Sequence, residues 1–164
     1  MSKYFPVLLV AIVLFASCNI YTSREKLQTY KQIAGINDTL DKQTREWHHL
    51  LDIAIKTKNY SALMPYRIEL GRFISRSRSA IGNLKVNAVS ESLLDSEQVF
   101  LQRQADIVSE QYTIYESYNE FTNIDIITDR MKIMNAELNN EIATHAAMKR
   151  SLTNFAKKAK IKVK

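Results

Sequence analysis

Three histidines and one cysteine are the side chains of this 164-residue sequence best suited to hold a metal or attack a substrate. Two of the histidines stand in Glu46-Trp47-His48-His49. The step from Glu46 to His49 is the Glu-x-x-His spacing of di-metal four-helix bundles, where two helices each supply such a pair and the other two add glutamates. The third histidine, His145, has Ile142 three places before it, so the second pair is missing. One pair cannot hold two metals, and the sequence predicts no metal site. Glu46 and His49 then read as an exposed pair beside a core Trp47. His48 and Asp52, one helical turn apart, read as a surface interaction. His145 falls on an apolar stripe, where a boundary histidine with a hydrogen-bond partner is the ordinary explanation. A pH-sensitive contact is its functional alternative, because the unperturbed pKa is about 6.5.

Other chemistry finds no support. Haem attachment needs Cys-x-x-Cys-His, and neither a glycine-rich phosphate loop nor a G-x-S-x-G elbow occurs. No acid–base pair converges in the spacing, so the expectation is a protein that is not an enzyme and carries no cofactor. Tyr112, Tyr115 and Tyr118 lie three apart with Phe121 next, and drift around a helix. They form a candidate face for a protein or a glycan, since tyrosine joins a large apolar area to a polar end. Tyrosines edging the core with wet hydroxyls are the plainer alternative. Arg72, Arg76 and Arg78 make a basic edge that Glu69 partly neutralises.

The net charge of +6 is concentrated at the chain ends. Setting aside Lys3 and the five lysines after Ala156 leaves 17 basic residues against 17 acidic ones. A neutral body lacks the excess that a phosphate-binding surface requires, so no nucleic-acid partner is expected. Lys157, Lys158, Lys160, Lys162 and Lys164 have two readings. They complement a helix C-terminus and then fray into solvent, or they contact an anionic surface such as lipid headgroups or an acidic envelope polymer.

Three Gly and two Pro are too few for a sandwich or barrel, and one Cys excludes an internal disulfide. The apolar residues recur instead at steps of three and four. The first stripe, Leu27, Tyr30, Ile33, Ile36, Leu40, Trp47, Leu51 and Ala54, predicts a helix over 22–57 that continues through Gly35. Leu63, Tyr66, Leu70, Phe73, Ser77 and Ile81 predict a short second helix capped by Ser61 and stopped by Gly82-Asn83. Residues 83–90 lack a stripe. Leu94, Glu97, Leu101, Gln104, Val108, Tyr112 and Tyr115 predict a third helix from Ser90, as cap, to about Phe121. Ile127, Met131, Met134, Leu138, Ile142, His145, Met148, Leu152, Phe155 and Ala159 give the fourth. Together these predict an all-α, antiparallel up-down four-helix bundle with a short second helix and an irregular 83–90 connection.

Ahead of the bundle, Lys3 opens a positive start and an apolar run follows over residues 5–17. That run is shorter than the ~20 residues a spanning helix needs. It ends Leu14-Phe15-Ala16-Ser17-Cys18, which resembles the lipobox of bacterial lipoproteins, with Phe15 where Leu is usual. The resemblance implies cleavage before Cys18 and acylation of its thiol, which also removes it as a nucleophile. Acyl chains contribute about 0.8 kcal/mol per buried CH₂, and two suffice for stable anchoring. The expected division is a signal peptide over 1–17, a lipidated linker over 18–22, a bundle over 23–159 and a basic tail over 160–164. Asn19, in place of the Asp that retains lipoproteins in the inner membrane, implies the outer membrane. The single acid in 19–25, Glu25, favours its periplasmic face over the cell surface.

The lipobox, a long helix opening near Tyr30, Arg67-Ile68-Glu69-Leu70 in a short second helix, the tyrosine-bearing third helix and the closing Asn154-Phe155-Ala156-Lys157-Lys158 carry a wider likeness. The chain resembles a family of small, all-helical, functionally uncharacterised surface lipoproteins of Gram-negative bacteria. The resemblance implies a location and a fold and brings no catalytic residues. The expected function is therefore a noncatalytic interaction or structural module, bound to membrane lipid through Cys18 and to an envelope protein or polymer. The alternative is a ligand-binding or sensing protein with a cavity between helices near Trp47 and His145.

Overall fold

The computed structural model describes residues 22–162; the leader 1–17, Cys18 and Lys164 lie outside the described residues. Helix α1 spans Ser23–Thr57 and α2 spans Leu63–Gly82. Helix α3 begins as Glu91–Ile107, passes through a π-helical turn at Val108–Tyr112 and closes with an α-helical turn at Thr113–Glu116. Helix α4 spans Ile124–Lys158. The four form an all-α, antiparallel up-down bundle in which each helix packs on its neighbours around a ring.

Cross-bundle contacts fix the register. Asn37 of α1 bonds Glu97 of α3, and His48 meets Tyr112, so these diagonal helices run parallel. Arg67 pairs with Glu116, and Gln98 donates to the Arg78 carbonyl, so α2 opposes α3. Arg103 reaches Glu137 and Ser151 reaches Ser96, so α4 opposes α3 as well. The start of α1, the 83–90 connection and the end of α4 consequently share one end of the bundle, called here the near end. The turns at 58–62 and 117–123 share the far end.

A seven-residue repeat decides which side chains face inward, because steps of four and three keep one seam toward the neighbouring helices. On α4 the repeat runs 127, 131, 134, 138, 141, 145, 148, 152 and 155. Glu141, not the expected Ile142, therefore turns inward, and Ile142 is exposed. On α3 the repeat 94, 97, 101, 104, 108 would bring Gln111 inward next. The π-helical turn takes up one residue more than an α-turn, and Tyr112 faces the core instead. Leu84 and Val89 of the connection pack on the core as their apolarity suggests, whereas Val86 is exposed.

The ends of the helices differ from expectation in instructive ways. Ser61 does not cap α2. Asn59 makes an Asx turn that engages the Ser61 amide (3.1 Å) and hydroxyl (2.7 Å), and α2 starts after Ala62 without a side-chain cap. Ser90 precedes α3, but its hydroxyl accepts from the Asn87 amide and leaves the helix uncapped by its side chain. Helix α3 stops at Glu116, short of Phe121, because Asn119 and Thr122 close a turn of their own. The Asn119 Oδ1 accepts from the Phe121 amide, and the Thr122 Oγ1 accepts from the Asn119 amide, each at 2.9 Å. Two caps are complete. Thr22 and Glu25 form a reciprocal capping box on α1, and Asn123 accepts from the Asp125 amide at the start of α4.

Candidate functional site

The three tyrosines proposed as a surface do not form one. Tyr112 and Tyr115 are buried, and Tyr118 alone is half-exposed. Tyr112 lies flat on Trp47, ring centroids 3.5 Å apart and planes 5° from parallel, while Tyr115 meets the same indole edge-on at 5.9 Å. Stacking of this kind adds about 0.5–1.5 kcal/mol per pair beyond area burial. The hydroxyls are dry, not wet: that of Tyr112 sits 3.3 Å from His48 Nε2, and that of Tyr115 is buried without a hydrogen-bond partner. Burial pushes the Tyr115 hydroxyl up to about 12 and raises that of Tyr112 as well. Burial also lowers the His48 pKa, against the pull of Asp52. Glu46 and His49 are exposed beside buried Trp47, as their spacing suggested.

About two to four turns toward the near end the packing changes character. Asn37, Glu97, Gln104, Glu141 and His145 all occupy seam positions of the seven-residue repeat. Glu97 is 0 % exposed and accepts from Asn37 Nδ2 at 3.2 Å, while its Oε1 has no partner. Loss of water around the carboxylate pushes its pKa up to about 7, with the Asn37 bond opposing. Gln104 donates to Glu141, whose pKa burial likewise raises. The His145 ring lies over Phe100, 5.6 Å between centroids and 14° from parallel. Burial lowers the His145 pKa, Lys149 lowers it further, and Asp41 draws it up. A cavity of about 40 Å³ opens among Asn37, Asp41, Thr44, Gln104, Glu141 and His145. That is room for about one water, against the ~300–1,000 Å³ of small-molecule sites. Among the described residues, no group of three or more His, Cys, Asp or Glu is placed to hold a metal ion.

At the near end the described part of the tail, residues 157–162, turns back on the bundle. The Lys160 amide donates to the Lys157 carbonyl (3.1 Å) and the Ile161 amide to the Ala156 carbonyl (2.9 Å), the two bonds of a Schellman motif. Lys160 occupies its left-handed position with φ 55°, and Ile161 packs back on the core. Lys157, Lys158, Lys160 and Lys162 are all exposed. A groove of about 530 Å³ runs between the start of α1 and the end of α4, with Lys26, Lys158, Lys160 and Lys162 around Leu27 and Ile161.

The far end carries the most exposed apolar residues in one stretch. Phe121 is 86 % exposed and Ile124 58 %, with Ile126 beside them. A groove of about 750 Å³ lies between the 57–61 turn, Met64 and Pro65, and Glu116 at the end of α3 with Tyr118 and Glu120 of the turn that follows. Under this end, Tyr60 and Tyr118 pack edge-on at 5.8 Å and Arg67 makes a two-armed ion pair with Glu116. Neither Phe121 in a loop nor Glu141 in the core follows from apolar periodicity. The repeat of seven, applied without regard to residue type, locates Glu141. No described helix is long and apolar enough to cross a membrane. No protein-family model, curated protein or solved structure matches this chain.

Proposed function

We propose that the protein is a noncatalytic helical lipoprotein of the bacterial envelope, tethered through an acylated Cys18, which presents the far end of its bundle to a partner protein. The observation that carries this reading is the exposed apolar stretch Phe121, Ile124 and Ile126. Asn119, Thr122 and Asn123 hold its backbone in hydrogen-bonded turns, so the Phe121 ring is displayed from a fixed frame. Exposed apolar clusters of this kind mark interaction sites. The interior supports the same choice, since the cavity beside His145 suits about one water and Trp47 is packed against Tyr112 with no space between them. The anchor rests on Leu14-Phe15-Ala16-Ser17-Cys18, and the outer-membrane placement on Asn19.

Fractionation of cells carrying the protein and its Cys18→Ser variant tests the tether: labelled palmitate enters the parent and not the variant, and the variant's mature form leaves the membrane. A photo-crosslinking residue placed at 121 tests the face, with position 99 as control, because Val99 is 67 % exposed on the side of α3. The reading expects a discrete adduct from 121 and none from 99. Equal adducts from both positions, or none from either, defeat it.

A further inference from the structure

The fold gathers cationic side chains that are far apart in the sequence. Residues 22–31, 83–95 and 157–162 meet at the near end, where the up-down topology brings the start of α1, the connection and the end of α4 together. These segments hold eight Lys and Arg against three acids, Glu25, Glu91 and Asp95. The far segments 52–70 and 110–132 hold five Lys and Arg against seven acids. Half of the near-end cations are tail lysines, which the topology sets beside Lys26 and Lys85, so the folded chain is electrically polarised along its length. The near-end charges form one surface: Lys26 shares a groove with Lys158, Lys160 and Lys162, and Glu25, whose pKa is lowered mainly by its bonds to Thr22, also feels the charge of Lys85 in the connection.

We infer that this near end is a docking surface for an anionic phospholipid membrane, and that it seats the bundle end-on with Phe121 pointing away. The groove fits the chemistry of such a lipid. Lys26, Lys158, Lys160 and Lys162 surround it to meet phosphate, while Leu27 and Ile161 offer apolar contact to the glycerol and upper acyl chain. The Schellman turn holds Lys160 and Lys162 on either side of Ile161 at this rim. The inference rests on the tether at Cys18. From there to Ser23 the chain reaches at most about 17 Å when fully stretched, so an anchored molecule keeps its near end beside the headgroups. Attraction to a charged surface falls off over about 8 Å at physiological salt, and a tether of this reach holds the start of α1 within about two such lengths of the headgroups. One lipid anchor joined to a basic patch is a stronger attachment than either alone.

The test uses the full chain purified from membranes and placed in vesicles of phosphatidylcholine, with or without phosphatidylglycerol. A water-soluble acylating reagent labels lysines, and mass spectrometry reads the rate at each position. On anionic vesicles at low salt, Lys158, Lys160 and Lys162 label at least about fivefold more slowly than on neutral ones. The difference collapses at high salt, while Lys58 and Lys132 of the far half label at one rate throughout. In the Lys158→Gln, Lys160→Gln, Lys162→Gln triple variant, the slowing of Lys26 on anionic vesicles falls away. Equal slowing of Lys58 and Lys132 would mean that the bundle lies flat, and unchanged labelling of the near-end lysines would mean no contact; either overturns the inference. Palmitate incorporation is measured on the same preparation. Its absence would end the tether reading, and salt-sensitive slowing on added anionic vesicles would then still support the near end as a lipid surface.

Discussion

The half of the bundle around Trp47 and the half around Glu97 use the same helices and the same seven-residue spacing, yet fill their seams differently. In the far half the seam holds stacked aromatic rings and a tethering ion pair, Arg67 to Glu116. In the near half it holds amides, carboxyls and an imidazole; unpartnered polar atoms occur in both halves, Tyr115 Oη and Trp47 Nε1 in the far one, Asn37 Oδ1 and the carboxyl oxygen Glu97 Oε1 in the near one. The surfaces differ in the same sense, acidic and apolar at the far end, basic at the near end. Shape complementarity therefore organises the far half, which gives Phe121 a rigid base. Polar pairing sets the register of the near half at a cost in stability, since a buried carboxyl with an unmade bond is destabilising. Polar residues at seam positions are a known means of fixing helix register.

Substitution at the stack is expected to have the largest effect. Trp47→Ala removes the fully buried indole beneath Tyr112 and should lower stability by about 3–5 kcal/mol in chemical denaturation. A loss under about 1 kcal/mol would mean that the far half is not the better packed one. Glu97→Gln moves the near half in the other direction. A carboxyl whose pKa rises on folding from 4.5 to about 7 is bound to a proton in the folded chain over a window where the unfolded chain has lost it. Stability accordingly falls as pH rises from about 4.5 to about 7 and stays low above that. The glutamine variant should be more stable than the parent by roughly 3 kcal/mol at pH 8 and equal to it at pH 4. His48 and His145 carry the opposite sign, because their lowered pKa values favour the neutral folded form, and their contribution is lost as pH falls below about 6.5. Unfolding midpoints across pH 4–8 for parent and variant separate these contributions.

Smaller effects sharpen the contrast. Gly35 is exposed within α1, and a Cβ added there would meet nothing within 4 Å. Gly35→Ala should stabilise by about 1 kcal/mol through helix propensity alone. Phe121→Ser should change stability by less than about 0.5 kcal/mol, since the ring is exposed, while weakening the crosslink from a photo-reactive residue placed at Ile124 instead. A large destabilisation would assign Phe121 to the core instead of to a partner.

The helices were legible because apolar residues recur at steps of three and four with few interruptions, and Trp47, Leu101 and Met148 all fall on buried seams. The stripes already carried Glu97, Gln104 and His145; what they hid was Asn37 and Glu141, the partners of two of these. Reading for apolarity picks Ile142, whereas strict spacing picks Glu141, and packing against Gln104 follows the spacing. The π-helical turn was invisible for a related reason: no residue in Val108-Ser109-Glu110-Gln111-Tyr112 breaks an α-helix, and Trp47, a distant partner, stacks on the ring that the turn delivers. The tyrosine face failed at this place. Asn123 caps α4, whereas the Ser61 and Ser90 hydroxyls expected to cap α2 and α3 are each engaged by a nearby Asn. The basic near end needed the topology, since Lys26, Lys85 and Lys160 are neighbours only once the bundle forms.

The proposed function turns on Cys18, because the proposed tether there gives the near and far ends their meaning. The most direct measurement is the mass of the N-terminal peptide of the protein isolated from native membranes. A mature chain beginning at Cys18 and carrying a diacylglyceryl group on its sulfur is the predicted result. A chain retaining Met1 to Ser17 with a free thiol at Cys18 would contradict it.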